Sequence, residues 1–551
     1  MLSCAVIGCG AAGMAACTAL RRSGLLVTCF ELAADPGGIW NSDPRSPFSS
    51  RGLVSPVHPT MRCVLPKDLI SFGDLRFDYT VPQFPHHSSV CRYLEQYAEK
   101  MGIRGLVRFN TKVQSVRYEE RDALWRIITV NVVNGDVFEW SFDKVCVCTG
   151  QTQEPRYPDG IKELLEPYLR EGGELHHASH VKDFRQFKGK RVVIVGDGVT
   201  ACDYCWELLR SGSDVYQSSC QSLYMPQQRQ QQQQLENGAN WSSLKMHEGG
   251  AMRDAASAAL HLLSCSPGWR KDITKGNRIV SNWIKFRNIA CWGGMPGVGH
   301  PLRSEGRGIL FAEQPKRIVD IIAEAKTRSM ARDRQGGIQS SDDTPGEIFV
   351  DNIDAIICAT GYHTRYPFLH RDMRNVVEGS SLLQISKGEG GQSPPSHGDS
   401  TGKEMHHHRG LYLGTLYVHR PSIAFVGIQK ELLPPFMLFE AQAKFISYAF
   451  THRVKLPVGV EGLLSRQSEL MKRYPLLENL YHPQGLGLYS ALYFNVLQEE
   501  LQVGSRNTYT ASIVERRSWI LTTSLLRLVH KLRSVAPLKR KRQHVLFSNA
   551  I

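Results

Sequence analysis

The sequence predicts an α/β fold built around two strand–turn–helix nucleotide units, and three observations carry that expectation. The run Gly8-Cys9-Gly10-Ala11-Ala12-Gly13 follows a short apolar strand and opens a helix. Further along, Gly196-Asp197-Gly198-Val199-Thr200-Ala201 stands in the same setting. Glycine is also abundant, 48 of 551 residues, which suits a fold with many tight strand-to-helix turns.

In the first unit, Cys4-Ala5-Val6-Ile7 is a buried-strand pattern and Met14 to Leu20 continues the helix, which stops at Arg21-Arg22-Ser23-Gly24. Leu25 to Phe30 is the next strand, and Glu31 stands at its end, 23 positions after Gly8. Each residue type has a reason to be there. Gly8 permits the turn, Gly10 lets backbone approach a pyrophosphate, and Gly13 allows close helix–strand packing. The helix N-terminus, at Ala11 and Ala12, offers N–H groups and a positive dipole end to phosphates. Glu31 accepts hydrogen bonds from a ribose diol, so the unit reads as an FAD site. Directly afterwards comes Asp35-Pro36-Gly37-Gly38-Ile39-Trp40. Here Gly38 and Ile39 let backbone pass near the cofactor while the Trp40 indole covers it.

The second unit begins at Lys188-Gly189-Lys190-Arg191, runs through the strand Val192–Val195 and reaches a GxGxxA turn. Alanine is small enough for the third position. Its candidate nicotinamide-nucleotide residues are Gly196, Gly198, Thr200, Ala201, Cys202 and Asp203, with Ser218 and Ser219 at the end of the strand starting at Asp214. No acid at 217–219 holds a free 2′-hydroxyl as NAD prefers, and no arginine there meets a 2′-phosphate. The reading favours NADPH and leaves NADH open.

Two such units with an insertion between them give two Rossmann-like dinucleotide-binding domains, the NAD(P) domain inserted in the FAD domain. The expected boundaries are 1–155 for the first FAD segment and 156–350 for the NAD(P) domain, with a low-complexity insertion near 226–240. The FAD domain is expected to resume over 351–500, with a loop insertion at 388–409, leaving 501–551 as a basic tail. In this scheme Asp354–Cys358 starts the second FAD segment. The strand stops Thr149-Gly150 and Thr360-Gly361 mark crossings between domains.

Composition sets the outer limits. The length allows two or three domains, and 42% hydrophobic with 21% charged residues is ordinary for a globular chain. The net charge of +14 is largely local: nine Lys/Arg and one Glu between Glu515 and Arg542 supply +8, leaving +6 for the body. A basic tail on a nearly balanced body does not call for a nucleic-acid partner. Fourteen scattered cysteines without metal spacing read as buried reduced thiols, with no metal site and a cytoplasmic setting. The apolar N-terminus lacks a basic n-region, and cleavage there would remove the first glycine motif. No apolar run is long enough to span a membrane.

In ordered blocks from Cys4 to about Leu497 the sequence resembles the flavin-containing monooxygenases, which oxygenate soft nitrogen and sulfur atoms. The blocks include Gly38-Ile39-Trp40, Ser55-Pro56-Val57, Leu65-Pro66-Lys67-Asp68-Leu69, both glycine motifs and Ala359-Thr360-Gly361-Tyr362. Leu411-Tyr412, Phe425-Val426-Gly427 and Glu440-Ala441-Gln442-Ala443 continue the series. The family's FxGxxxHxxx(Y/F) signature survives in part through Gly173 and His177. The resemblance implies that NADPH reduces FAD, that O2 adds at flavin C4a, and that the hydroperoxide passes one oxygen to a small nucleophilic substrate. It also implies that Leu65 lies with FAD, and Cys63 and Val64 with NADP.

The departures concern oxygenation and NADP binding. Where the family reads Leu-Arg-Thr-Asn-Leu-Pro, this chain has Met61-Arg62-Cys63-Val64-Leu65-Pro66, so Val64 replaces an amide donor. Glu171 and Val181 replace the aromatic ends of the signature, and Cys220 stands where a phosphate-binding arginine is expected. No catalytic residue is therefore assigned. Two alternatives to oxygenation stay open: an NAD(P)H oxidase or reductase that releases H2O2, and a non-catalytic FAD-binding sensor or interaction protein. Gln227–Gln234 and Gly388–Arg409 read as loops. Leu521, Leu525, Leu528 and Leu532 form a helical stripe beside basic residues, so 519–542 reads as a peripheral membrane contact, with a helix packed on the body and a solvated basic tail as the alternatives.

Overall fold

The computed structural model describes residues 1–41, 54–63, 65, 67–82, 84–196, 198–218, 297–298, 301–311, 348–382, 410–429, 435–474, 477 and 490–503. Val64, Ser219, Cys220, the glutamine-rich run, the insertion at 388–409 and the basic stretch 519–542 lie outside the described residues.

Two parallel-centred sheets organise the chain. The first has the order β18 (Leu411–Tyr412), β19 (Leu416–Tyr417), β20 (Ile423–Phe425), β7 (Lys144–Val147), β1 (Ser3–Ile7), β2 (Leu26–Phe30), β3 (Val107–Arg108). Strand β1 pairs in parallel with both β2 and β7. The second sheet runs β12 (Gly297–Val298), β11 (Asp214–Ser218), β10 (Arg191–Val195), β16 (Ala355–Cys358), β9 (Glu174–His177). Here β10 pairs in parallel with β11 and β16. Both sheets thus put their glycine-bearing strand in the middle, with its chain neighbour on one side and a distant strand on the other. That is the strand-order reversal at which open α/β sheets bind ligands.

The strand sequences explain why both sheets are covered on two faces. Along β1, Cys4 and Val6 join one core while Ala5 and Ile7 join another. Along β10, Val192 and Ile194 face one core while Val193 and Val195 face the opposite one. Alternate side chains point to opposite faces, so an unbroken apolar run is what a doubly covered strand requires.

Helix α1 (Ala11–Arg22) follows β1 and α2 (His87–Lys100) packs beyond it; α3 (Ile161–Leu164) and α4 (Glu166–Arg170) precede β9. Helix α5 (Val199–Ser211) follows β10 and ends at Gly212, whose φ of 89° is left-handed. Helix α6 (Arg371–Leu382) lies after the second sheet, and α7 (Pro435–Phe450), α8 (Gly459–Arg473) and α9 (Ser490–Val503) contribute to the first core. Two three-stranded antiparallel sheets complete the fold: β4 (Thr111–Glu119), β5 (Leu124–Asn131) and β6 (Val137–Phe142), and β13 (Pro301–Glu305), β14 (Gly308–Phe311) and β15 (Ile348–Val350).

The expected boundaries need two corrections. Strand β16 belongs to the second sheet, where Val192–Val195 pairs with Ala355–Cys358, so the FAD segment does not resume at residue 351. The chain crosses back only after Gly361, where β17 (Tyr362–His363) pairs antiparallel with β8 (Glu154–Pro155), the outgoing crossing. At the other end, α9 continues through Val503 and buries Leu501 in the first core, so the body does not end at residue 500.

Candidate functional site

The first glycine turn is built by close approaches that only glycine allows. Gly8 has a φ of 97°, and a Cβ there would lie 2.7 Å from the Cys148 carbonyl oxygen, just past β7. A Cβ on Gly13 would lie 1.9 Å from the Gly8 oxygen. Gly10 and Gly38 meet face to face: a Cβ on Gly38 would stand 2.9 Å from the Gly10 Cα. Helix α1 has Gly10 at its N-cap, no side-chain cap and no acid in its first turn. Its N-terminal N–H groups are thus left for an anion.

Glu31 is 7% exposed at the end of β2. It accepts from Cys9 N at 2.6 Å and Ala33 N at 2.8 Å. Burial pushes its carboxyl up, against those backbone hydrogen bonds, which pull it down. Leu32 N is a third backbone donor to this carboxylate, which leaves one of its four lone-pair sites to accept from a ribose diol. Around the turn, Cys9, Ala11 and Ala12 are buried, Ile39 is exposed, and Trp40 and Leu65 pack half-buried on the same core.

The second turn repeats the first in detail. Gly196 has a φ of 132°, and its Cβ would lie 2.6 Å from the Ala359 carbonyl oxygen, just past β16. Gly8 N donates to Phe30 O and Gly196 N to Ser218 O, both at 2.8 Å. Cys148 N donates to Ile7 O and Ala359 N to Val195 O, again at 2.8 Å. Even the supporting side chain has a counterpart. Cys29 Sγ donates to Gly8 O at 3.7 Å, and Gln217 Nε2 to Gly196 O at 3.0 Å. The Gln217 Oε1 is buried without a hydrogen-bond partner among the described residues. Sequence reasoning noticed Gln217 only as a missing acid.

Helix α5 has Gly198 at its N-cap, uncapped by a side chain and without an acid in its first turn. Beside Gly198 there is open space where a Cβ would go. Thr200 is half-buried, while Ala201, Asp203 and Ser218 are buried; Cys202 lies on the helix between them. The two Thr-Gly stops are therefore more than turns. Each places the residue before its threonine under the first glycine of a nucleotide turn, and each leads into one of the two paired crossing strands.

The signature residues have structural work in the same region. A Cβ on Gly173 would fall 2.2 Å from the Tyr168 ring, so only glycine fits. His177, 1% exposed, bonds Gly361 O at 3.0 Å through Nε2 and Ser179 Oγ at 2.8 Å through Nδ1. Burial lowers its pKa to about 4, keeping it neutral.

Residues 2–236 match the family described as flavin-binding monooxygenase-like. The chain resembles that family over this stretch, which is less than half of its length. Among curated proteins it is similar to Flavin-containing monooxygenase 3 of Homo sapiens, 27% identical over 376 residues. That alignment takes in 66% of this chain and 63% of the human protein, so the chain spans less than two thirds of that relative's length. Two solved structures share the fold. One is Tmm from Pelagibacter sp. strain HTCC7211, with a TM-score of 0.58, 17% identity, and coverage of 95% of this chain and 89% of that one. The other is S-allyl-L-cysteine S-oxygenase from Allium sativum, with a TM-score of 0.57, 19% identity, and coverage of 97% and 94%.

Cys63 is buried and lies within electrostatic reach of Asp203, so the segment before Leu65 reaches the start of α5. Burial, reinforced by the Asp203 charge, pushes the Cys63 thiol well above its ordinary range. A thiol held protonated is a poor nucleophile. No group of three or more His, Cys, Asp or Glu among the described residues is arranged to hold a metal ion. No helix among them is long and apolar enough to cross a membrane.

Proposed function

We propose that the chain is an FAD-containing, NAD(P)H-dependent monooxygenase that transfers one oxygen atom of O2 to a soft nitrogen or sulfur nucleophile. The observation that carries this reading is the duplicated turn: Gly8 over Cys148 and Gly196 over Ala359, each at the reversal point of its own sheet. One turn suits the FAD pyrophosphate and the other the nicotinamide nucleotide. When bound, FAD supplies the electron relay and the site of oxygen activation.

The chain's own residues bind and orient. Gly8, Cys9, Gly10, Ala11, Ala12 and Gly13 cradle the FAD phosphates, with Glu31 on the ribose and Gly38, Ile39, Trp40 and Leu65 along the cofactor. Gly196, Gly198, Thr200, Ala201, Cys202, Asp203, Ser218 and Ser219 take the nicotinamide nucleotide, with Cys63 and Val64 beside it. NADPH is the favoured donor and NADH the alternative. The basic segment 519–542 contacts anionic membrane surfaces.

One sequence feature favours a second reading. Val64 brings no hydrogen-bond donor to a position where the resemblance expects an amide. Loss of one positioned donor costs about a hundred- to a thousandfold in rate elsewhere, by analogy with oxyanion-hole deletions. On this reading the protein consumes NADPH and releases H2O2. A single experiment separates the readings: anaerobic addition of NADPH to the flavin-loaded protein, then oxygen with a tertiary amine or a sulfide present. Bleaching followed by oxygenated product in step with NADPH supports oxygen transfer. Bleaching with peroxide and no product supports the oxidase, and Val64→Asn should then raise coupling. No bleaching defeats both and leaves a flavin-binding protein without redox turnover.

A further inference from the structure

A segment outside both glycine motifs ties the two nucleotide turns together. Residues 54–63 leave the first domain beside Ile39, where Ser55 Oγ donates to Ile39 O at 2.7 Å. Ile39 follows Gly38, the residue in closest approach to Gly10. The same segment is stitched to the start of α2: Cys63 N donates to Pro85 O at 2.8 Å and His87 N to Met61 O at 3.0 Å. Its other side meets the second domain. His58, 3% exposed, packs edge-on against Phe184 and Tyr204, with ring centroids 5.2 and 5.4 Å away. Glu207 of α5 is held by a side-chain hydrogen bond to Thr60.

Lys182 fastens this strap from the second-domain side. Its ammonium donates to Ser55 O at 2.7 Å and to Val57 O at 2.6 Å. Both acceptors are backbone carbonyls, so the cation fixes the path of the strap whatever side chains the strap carries. Charge-assisted hydrogen bonds of this length are the strong kind, and here they are partly shielded from water. The resulting chain of contacts runs from Lys182 through Ser55 to Ile39 and Gly38, and so to the first phosphate turn. Lys182 lies five residues after His177, which itself grips the returning crossing at Gly361. One short stretch of the second domain thus holds both a crossing strand and the strap.

We propose that Lys182 is a positioning residue that sets how the nicotinamide domain sits over the flavin, acting through the strap 55–63. This rests on the proposed FAD and NAD(P)H reading for its consequence, but not for the contact itself. Hydride transfer depends steeply on donor–acceptor placement, and misplacement by an ångström costs about a hundredfold in well-ordered sites. Removing the tether should slow flavin reduction without expelling the flavin, because none of the first-turn groups is touched.

The test uses the full-length, flavin-loaded protein with Lys182→Met, Lys182→Gln and Lys182→Arg. Two quantities are read: amide hydrogen exchange over residues 54–63, and the anaerobic rate of flavin bleaching at saturating NADPH, with dithionite reduction as a control. Lys182→Met should speed strap exchange and slow NADPH bleaching at least tenfold, while flavin content and the dithionite rate stay at wild-type values. Lys182→Arg should recover most of both, and Lys182→Gln should fall between. Unchanged strap exchange in Lys182→Met overturns the tether, and unchanged bleaching at saturation overturns its positioning role. If Lys182→Met loses flavin or fails to fold, the same two readouts on Lys182→Gln decide. If wild-type flavin is not bleached by NADPH, the functional reading fails, yet the exchange measurement still judges the tether.

Discussion

At the scale of single residues, the glycines of the two turns divide into those that the backbone demands and those that a ligand would demand. Gly13 is of the first kind, since an added Cβ would lie 1.9 Å from the Gly8 oxygen, a backbone atom that cannot swing aside. Gly198 is of the second kind, with open space around the missing methyl. Gly13→Ala should therefore destabilise the first domain by about 3 kcal/mol or more, as overpacking against backbone does, and the protein should lose its flavin. Gly198→Ala should leave thermal stability near wild type and weaken NADPH binding alone. Thermal unfolding followed by flavin absorbance, with NADPH titration, checks both; equal melting losses in the two variants would remove the distinction. These residues were legible in the sequence because motif spacing encodes them. Lys182 and Gln217 were not, because each bonds to backbone carbonyls far along the chain, and a carbonyl leaves no mark in the sequence.

At the scale of elements, the sequence located β1, β2, β10 and β11 as strands, missed β9 and β20, and assigned Ala355–Cys358 to the wrong sheet. An apolar strand buried on both faces reads the same in either sheet, and only its pairing with Val192–Val195 tells them apart. The clue that survives is the Thr-Gly stop, since both crossings follow one. Those crossings and the strap rest on neutral imidazoles, which gives them a pH dependence. His177 faces His180, Tyr157 and Tyr362, and its pKa is lowered by burial to about 4. His58 faces Lys182, His86 and His87, and burial lowers it to about 3. Both fall below the ordinary 6.5, so the unfolded chain binds the extra protons first. Their contribution is fully present above pH 6.5 and drains away as the pH falls toward 4 and then 3. The lowering of His177 corresponds to roughly 3 kcal/mol and that of His58 to roughly 5 kcal/mol, so stability should fall by several kcal/mol between pH 6.5 and 4. Denaturant unfolding across that range, repeated with His58→Phe, measures the share that belongs to the strap. A flat profile would mean that neither imidazole is held neutral.

At the scale of the whole molecule, charge is partitioned as sharply as the nucleotide units are. Of the formal +14, the stretch Glu515–Arg542 holds +8 and the remaining chain +6. The two roles should separate accordingly, with cofactor chemistry in the body and surface attachment in the basic segment. A lysine or arginine near an anionic leaflet contributes about 1 kcal/mol, less as salt screens it. Replacing Lys539, Arg540, Lys541 and Arg542 by glutamine should therefore weaken binding to phosphatidylserine-containing vesicles by at least tenfold. Flavin content and the rate of NADPH bleaching should not change. Wild-type binding should itself weaken as sodium chloride is raised, and should be lost on vesicles of neutral lipid. Co-sedimentation of the full-length protein with the two vesicle types is the measurement. Vesicle binding that survives both the substitutions and high salt would place the attachment on the apolar stripe of Leu521, Leu525, Leu528 and Leu532 instead, because burial of leucine is insensitive to ionic strength. No vesicle binding by the wild-type protein would return the basic segment to the status of a solvated tail.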